Sequence, residues 1–190
     1  RAWYFEVAQL KQAVLYSFNT LQDRIGNLNR DSRTDPLTGL LNRRGLQQTL
    51  EMWRAQGQAF AILALDIDRF KSINDRFGHE VGDTVIAQIA AQMRLNSREG
   101  DVLCRNGGEE FLLLLPGSNA EDALQVAERL RQRVATATFD AVGQVTVSLG
   151  VSHYPSFDPD PDQALRLADK ALYMAKEQGR NRSVVYPYAD

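Results

Sequence analysis

Hydrophobic positions in the first thirty residues fall at heptad spacing. Tyr4, Lys11, Phe18 and Ile25 recur every seven residues, and Val7, Val14, Leu21 and Leu28 repeat the interval three positions later. With no Gly or Pro before Gly26, this a/d seam predicts one helix over about residues 1–29 that pairs with a second copy. Lys11 is a polar break at an a position. A single amphipathic helix packed on the adjoining domain is the alternative that the same periodicity allows. Arg30-Asp31-Ser32-Arg33-Thr34 reads as a polar hinge, and Asp35-Pro36 is expected to open a new helix, with Asp as N-cap and Pro in the first turn.

Beyond the hinge, helical periodicity alternates with short apolar runs. Helices are expected over about 42–54, 81–96, 120–136 and 162–178, the last stopping near Gly179. Strands are expected over 59–65, 144–152 and 183–186, with a hairpin over 102–115 and a polar turn leading from the first strand into the helix at 81. Helices and strands interleaved around an antiparallel hairpin predict an α/β (α+β) fold: a mixed or antiparallel sheet with helices packed on it. The expected division is 1–30 for the N-terminal helix and 31–190 for a globular domain.

Composition narrows the function. A chain of 190 residues suits one domain with an appendage. Its net charge of −2 argues against a partner that is a nucleic acid polymer, which would call for a concentrated basic patch. Cys104, the single cysteine, precludes an intrachain disulfide and reads as a small buried filler, in keeping with a cytoplasmic, reducing setting. The sequence has no signal peptide, lipidation motif or membrane-spanning apolar run. Because it begins with Arg1, it is expected to be a piece of a longer protein with a sensory or membrane segment upstream.

Candidate chemistry lies in two acid clusters. Arg105-Asn106-Gly107-Gly108-Glu109-Glu110-Phe111 leads into the apolar run Leu112 to Leu115, and its glycines predict a tight turn with positive φ. Leu65-Asp66-Ile67-Asp68-Arg69-Phe70-Lys71 closes the apolar run from Ala59. Acids at the ends of two hydrophobic strands repel one another unless a cation lies between them. Oxygen ligands of this kind suit Mg²⁺, which takes one or two carboxylates and leaves the rest of its shell to substrate phosphates.

On these residues the chain resembles the GGDEF-domain diguanylate cyclases. The resemblance runs from about Asp35 to Asn181 and includes Asp35 to Arg43, Asp66 to Asp83, Gly107 to Phe111, Val145 to Val151 and Ala168 to Asn181, in the family's order. It implies a central five-stranded sheet akin to nucleotidyl-cyclase and polymerase palm domains. It also implies condensation of two GTP into cyclic di-GMP with release of two pyrophosphates, a reaction that needs two domains facing each other, and the heptad helix is expected to join them as a homodimer. The metal ligands would be Asp66, the Ile67 carbonyl and Glu109, with Glu110 as an additional ligand, holding two Mg²⁺ ions, with Mn²⁺ also admissible. Glu109 is the family's candidate for activating the attacking hydroxyl, and Lys71 matches a lysine that stabilises phosphoryl charge. Asn74, His79 and Asp83 match the positions that read base and ribose, and Lys176 and Arg180 those that grip the terminal phosphates. Arg98 and Asp101 form RxxD, separated from Gly107 by five residues, in the family the mark of an inhibitory site for the product.

Each residue also has an ordinary use: helix or strand capping for Asp66, Asn74 and Asp83, a surface imidazole for His79, a solvated turn for the glutamates, a turn salt bridge for Arg98 and Asp101. Asn106 departs from the aromatic or bulky apolar residue usual before the glycines, and a local packing change is expected there. His153 also differs from the common small residue. The rival reading is an inactive domain that serves as a receptor for cyclic di-GMP or GTP, and a third is a dimerisation scaffold alone.

Overall fold

The computed structural model describes residues 10–21, 24, 32–156 and 160–186. Two compact units divide the chain, Arg1–Ser32 and Arg33–Asp190. In the first, residues 10–21 form helix α1. Val14, Phe18 and Leu21 are each more than half exposed and, with Ala13 and Ser17, line one apolar groove. Lys11, the polar a position, is exposed on the same helix, and Tyr4, Val7, Ile25 and Leu28, the remaining heptad positions, lie outside the described residues.

The second unit runs α2 (Arg43–Gln56), β1 (Phe60–Ile67), α3 (Phe70–Phe77), α4 (His79–Asn96), β2 (Val102–Arg105), β3 (Glu110–Pro116), α5 (Ala120–Thr136), β4 (Val147–Tyr154), α6 (Pro161–Glu177) and β5 (Ser183–Val185). One five-stranded sheet has the order β2-β3-β1-β4-β5, antiparallel except for the parallel β4–β5 pair. It is the expected mixed sheet with flanking helices.

All eight residues of β1 are buried, because this central strand is covered on both faces. Ala61, Leu63 and Leu65 join Phe111, Leu113, Leu149 and Val151 in a core roofed by α3, α4 and α5. Phe60, Ile62 and Ala64 face α2 and α6, where Leu50, Trp53 and Leu172 meet them. Trp53 meets Phe60 at a tilt and Phe60 stacks on Tyr154 there, with centroids 5.3 and 4.9 Å apart. Cys104 is buried in this layer, and burial pushes its thiol up to about 12.

Three expectations need correction. Asp35-Pro36 does not open a helix. The Asp35 carboxylate accepts from the Thr38 amide (2.8 Å) and hydroxyl (2.7 Å), closing a turn that Gly39, at φ 68°, sends back on itself. Helix α2 starts at Arg43 instead, capped by Asn42, whose side chain accepts from Gly45 N. The polar turn expected after β1 contains α3, which buries Phe70 and Ile73 and is set off from α4 by Gly78 at φ 88°. Finally, neither Gly107 nor Gly108 is among the positive-φ residues. The loop is four residues long, 106–109, and a Cβ on Gly107 would lie 3.0 Å from Glu110 Oε2, the far end of an exposed side chain that is free to turn away.

The segment before α2 lies along the outer edge of β2, with Leu41 N donating to Leu103 O (3.0 Å) and Arg105 N to Leu41 O (2.8 Å).

Candidate active site

The acids converge because of strand register. Asp66, one residue from the end of β1, is paired across the sheet with Glu110 on β3 and Ser148 on β4. Residues paired directly in antiparallel strands project from the same face. On that face α6 supplies Lys176, whose Nζ lies 2.8 Å from Asp66 Oδ2. Ile67 N donates to Glu109 O (3.4 Å), which ties the hairpin loop to the end of β1.

Electrostatics at this end are strained by like charge. Burial pushes the Asp66 carboxyl above the ordinary range; Lys176 opposes this, and the charges of Glu110 and Asp68 add to it. Glu109 is raised by burial and then by Asp66, with Lys176 opposing. Asp169 on α6 is raised by burial and then by Glu110. Among the described residues no group of three or more His, Cys, Asp or Glu gathers into a metal cage. What the sheet end offers is smaller: crowded carboxylates whose ionised forms need a cation, the donor set that suits Mg²⁺ carrying substrate phosphates.

Arg105 fixes the hairpin. Its Nε donates to Gly107 O (3.2 Å) and Gly108 O (3.1 Å), its Nη2 to Gly108 O (2.8 Å), and its Nη1 lies 3.1 Å from Asp35 Oδ1. Burial pushes Asp35 up, but its bonds to Thr38 and Arg105 outweigh burial and hold the carboxyl below the ordinary range. Sequence reasoning assigned Arg105 no role. An arginine beside a Gly-Gly loop, within reach of carbonyls that lack side-chain cover, is the signal that could have found it. Asn106 adapts as a loop residue: its carbonyl accepts from Arg43 Nη2 at 3.0 Å.

A second group sits at the α3–α4 junction. Lys71 is exposed on α3, and His79 and Asp83 are exposed on the first turns of α4. Asn74 Oδ1 is buried without a hydrogen-bond partner, and a Cβ on Gly82 would fall 1.9 Å from it. Gly82 therefore gives Asn74 its place against α4, with an amide oxygen still to be satisfied.

The RxxD pair stands apart, in the turn between α4 and β2. Arg98 Nε lies 3.4 Å from Asp101 Oδ1, and its Nη2 donates to Pro116 O (3.1 Å) and Ser118 Oγ (3.0 Å). The turn salt bridge is thus present, and it opens onto a cavity of about 490 Å³ also lined by Asn96, Arg129 and Arg133. Arg180, expected at the terminal phosphates, lies in the turn after α6 at φ 65°. His153 on β4 is partly buried, and burial pushes its imidazole down.

The family model described as diguanylate cyclase, GGDEF domain, matches residues 32–182. Diguanylate cyclase DgcM of Escherichia coli K12 is 41% identical over 152 residues, covering 78% of this chain and 37% of that protein. The chain spans less than half the length of the curated relatives it matches. The coiled coil and GGDEF domain of DgcB from Caulobacter crescentus, solved in complex with c-di-GMP, superposes with a TM-score of 0.76 at 28% identity, covering 94% of this chain and 97% of that one. The active GGEEF domain of a diguanylate cyclase from Vibrio cholerae superposes at 0.72 with 35% identity, covering 79% and 99%.

Proposed function

Because the chain belongs to the GGDEF-domain diguanylate cyclase family, we propose that it condenses two GTP into cyclic di-GMP and releases two pyrophosphates. The observation that carries this reading is the register pairing of buried Asp66 with Glu110, beside Glu109 and within 2.8 Å of Lys176. In the reaction, the 3′-hydroxyl of one GTP attacks the α-phosphorus of the other, and negative charge spreads over the phosphoryl oxygens. Asp66, the Ile67 carbonyl and Glu109, with Glu110 as a further ligand, would hold two Mg²⁺ ions, or Mn²⁺. The metal would supply Lewis-acid stabilisation of attacking and leaving oxygens.

The chain's own groups do the positioning. Lys176 and Arg180 grip the terminal phosphates and Lys71 offsets phosphoryl charge. Asn74 and Asp83 pair with the donor and acceptor edge of guanine, and His79 completes the base and ribose pocket. Glu109 is the carboxylate closest in role to a base for the attacking hydroxyl. Each domain holds one GTP, so two must meet, and the exposed Val14, Phe18 and Leu21 of α1 support a homodimer formed through residues 1–30. The reaction belongs to the cytoplasm, where GTP is found, with any sensor or membrane segment upstream. No described helix is long and apolar enough to cross a membrane.

Incubation with GTP and Mg²⁺, followed by chromatography, tests the reading: cyclic di-GMP is the expected product. Nucleotide bound but unconverted would favour the receptor alternative. The RxxD turn beside its arginine-lined cavity supports feedback inhibition by product. In progress curves with added cyclic di-GMP, Arg98→Ala is expected to become insensitive to product with its uninhibited rate retained. Unchanged inhibition would leave Arg98 as a turn salt-bridge partner only.

A further inference from the structure

Asp66 and Asp68 are two residues apart, yet their surroundings separate their roles. Asp68 is buried with both oxygens occupied by neutral donors. Ser148 Oγ donates to Oδ1 (2.6 Å), while Thr146 Oγ1 (2.7 Å) and the Asn181 amide (3.0 Å) donate to Oδ2. A carboxylate so engaged is a structural acceptor, joining the end of β1, the start of β4 and the turn after α6.

That turn is unusual. Arg180 and Asn181 are consecutive non-glycine residues at φ 65° and 46°, a left-handed pair that needs support from its surroundings. Asp68 supports it through the Asn181 amide. Helix α5 supports it through side chains. Arg131 Nη1 donates to Asn181 Oδ1 (2.9 Å), while Arg131 Nε and Nη2 bond the Glu128 carboxylate at 3.1 and 2.8 Å. Glu128 in turn accepts from Ser183 N (3.2 Å), the first residue of β5. Arg131 is mostly buried, at 17% side-chain exposure, so its guanidinium is fixed in place. The Arg131 bond comes first in holding the Glu128 carboxyl below the ordinary range.

We infer that Asp68, Arg131 and Glu128 are positioning residues that lock the Arg180–Asn181 turn, so that Arg180 meets the terminal phosphates of GTP in a fixed geometry. The inference rests on the cyclase reading above. Helix α5 thereby serves the nucleotide site from a distance, through Asn181. None of the three residues needs to touch substrate, and Asp68 has no free oxygen to offer a metal.

The test uses Arg131→Met, which removes the clamp and keeps helical propensity and bulk, and Asn181→Gly, which removes the acceptor and tolerates positive φ. Both are made in the full chain, and Asp68 is left intact because it adjoins Asp66. Initial rates are measured over GTP, with GMP as a competitive inhibitor. Each variant is expected to raise KM for GTP about 5- to 10-fold, the effect of one misplaced phosphate contact, with kcat within about twofold of wild type. The inhibition constant of GMP stays unchanged, since GMP lacks the phosphates that Arg180 addresses. In an Arg180→Ala background neither substitution has a further effect, because residues acting through one group are not additive. Equal weakening of GTP and GMP, additivity with Arg180→Ala, or a lowered melting temperature with unchanged KM would each overturn the inference. Wild-type protein that makes no cyclic di-GMP brings down the cyclase reading, and the inference with it. Wild-type turnover combined with any of the three overturning patterns brings down the inference alone.

Discussion

Replacing Asp66 with Asn, or Glu109 with Gln, is expected to abolish cyclic di-GMP synthesis, by about 10³-fold or more, without destabilising the fold. Each substitution removes one charge and nearly preserves volume. Asp66 is 5% exposed and subject to the charges of Glu110 and Asp68, so its ionised form is held in the folded state against burial and repulsion. Lys176, 32% exposed, can turn to solvent when its partner becomes neutral. Linkage gives the sign. A carboxyl raised on folding imposes no penalty below its unfolded pKa, where it is protonated in both states. The penalty grows as pH rises through the window between the unfolded and raised folded values, and is complete above it. The stability gained in Asp66→Asn should therefore be largest at neutral pH and fade in acid. Chromatography of product and thermal melts at both pH values check this, and synthesis near the wild-type rate in either variant would sink the two-carboxylate site.

Gly150→Ala is expected to be the most damaging small substitution in the domain, costing about 4 kcal/mol or more and leaving little folded protein. A Cβ there would lie 2.1 Å from Ala168 O and 2.2 Å from Leu172 N, both backbone atoms of α6. Helix α6 cannot retreat cheaply. Ala164, Ala168, Ala171 and Ala175 pack it against the sheet, Ser152 Oγ donates to Ala164 O, and Lys176 reaches Asp66. Gly108→Ala is the contrast, since its Cβ would meet no atom within 4 Å and its φ is not positive. Chemical denaturation should show Gly108→Ala near wild type and Gly150→Ala unfolded or strongly shifted. A Gly150→Ala midpoint matching that of Gly108→Ala would show that α6 is not held so closely.

The strands and long helices were legible because burial imposes a period, and the apolar run into Asp66 with the acids at the hairpin located the sheet end. Helix α3 was hidden by length and polarity. Its apolar positions, Phe70, Ile73 and Phe77, are three among eight residues, and its charged residues resemble a turn. Asp35 was misread because the same side chain that caps helices closes turns, and a partner 70 residues away, Arg105, favours the turn. The glycine loop shows the same limit. Two glycines suggest left-handed backbone, whereas what the structure uses is their carbonyls, held by Arg105. Asp68 was visible as a carboxylate, but its three donors come from residues more than 70 positions away. Long-range hydrogen bonds leave no periodicity in the sequence.

The Leu41 segment along β2 has a consequence for solubility. A sheet's outer strand, left bare, offers a row of unpaired amides and carbonyls to any other chain and so invites aggregation. Here Leu41 covers part of the β2 edge, and the opposite edge is the three-residue β5, too short to template a long pairing. The domain therefore presents little bare strand for accidental joining, and contact with another chain is left to side-chain surfaces, which can part again.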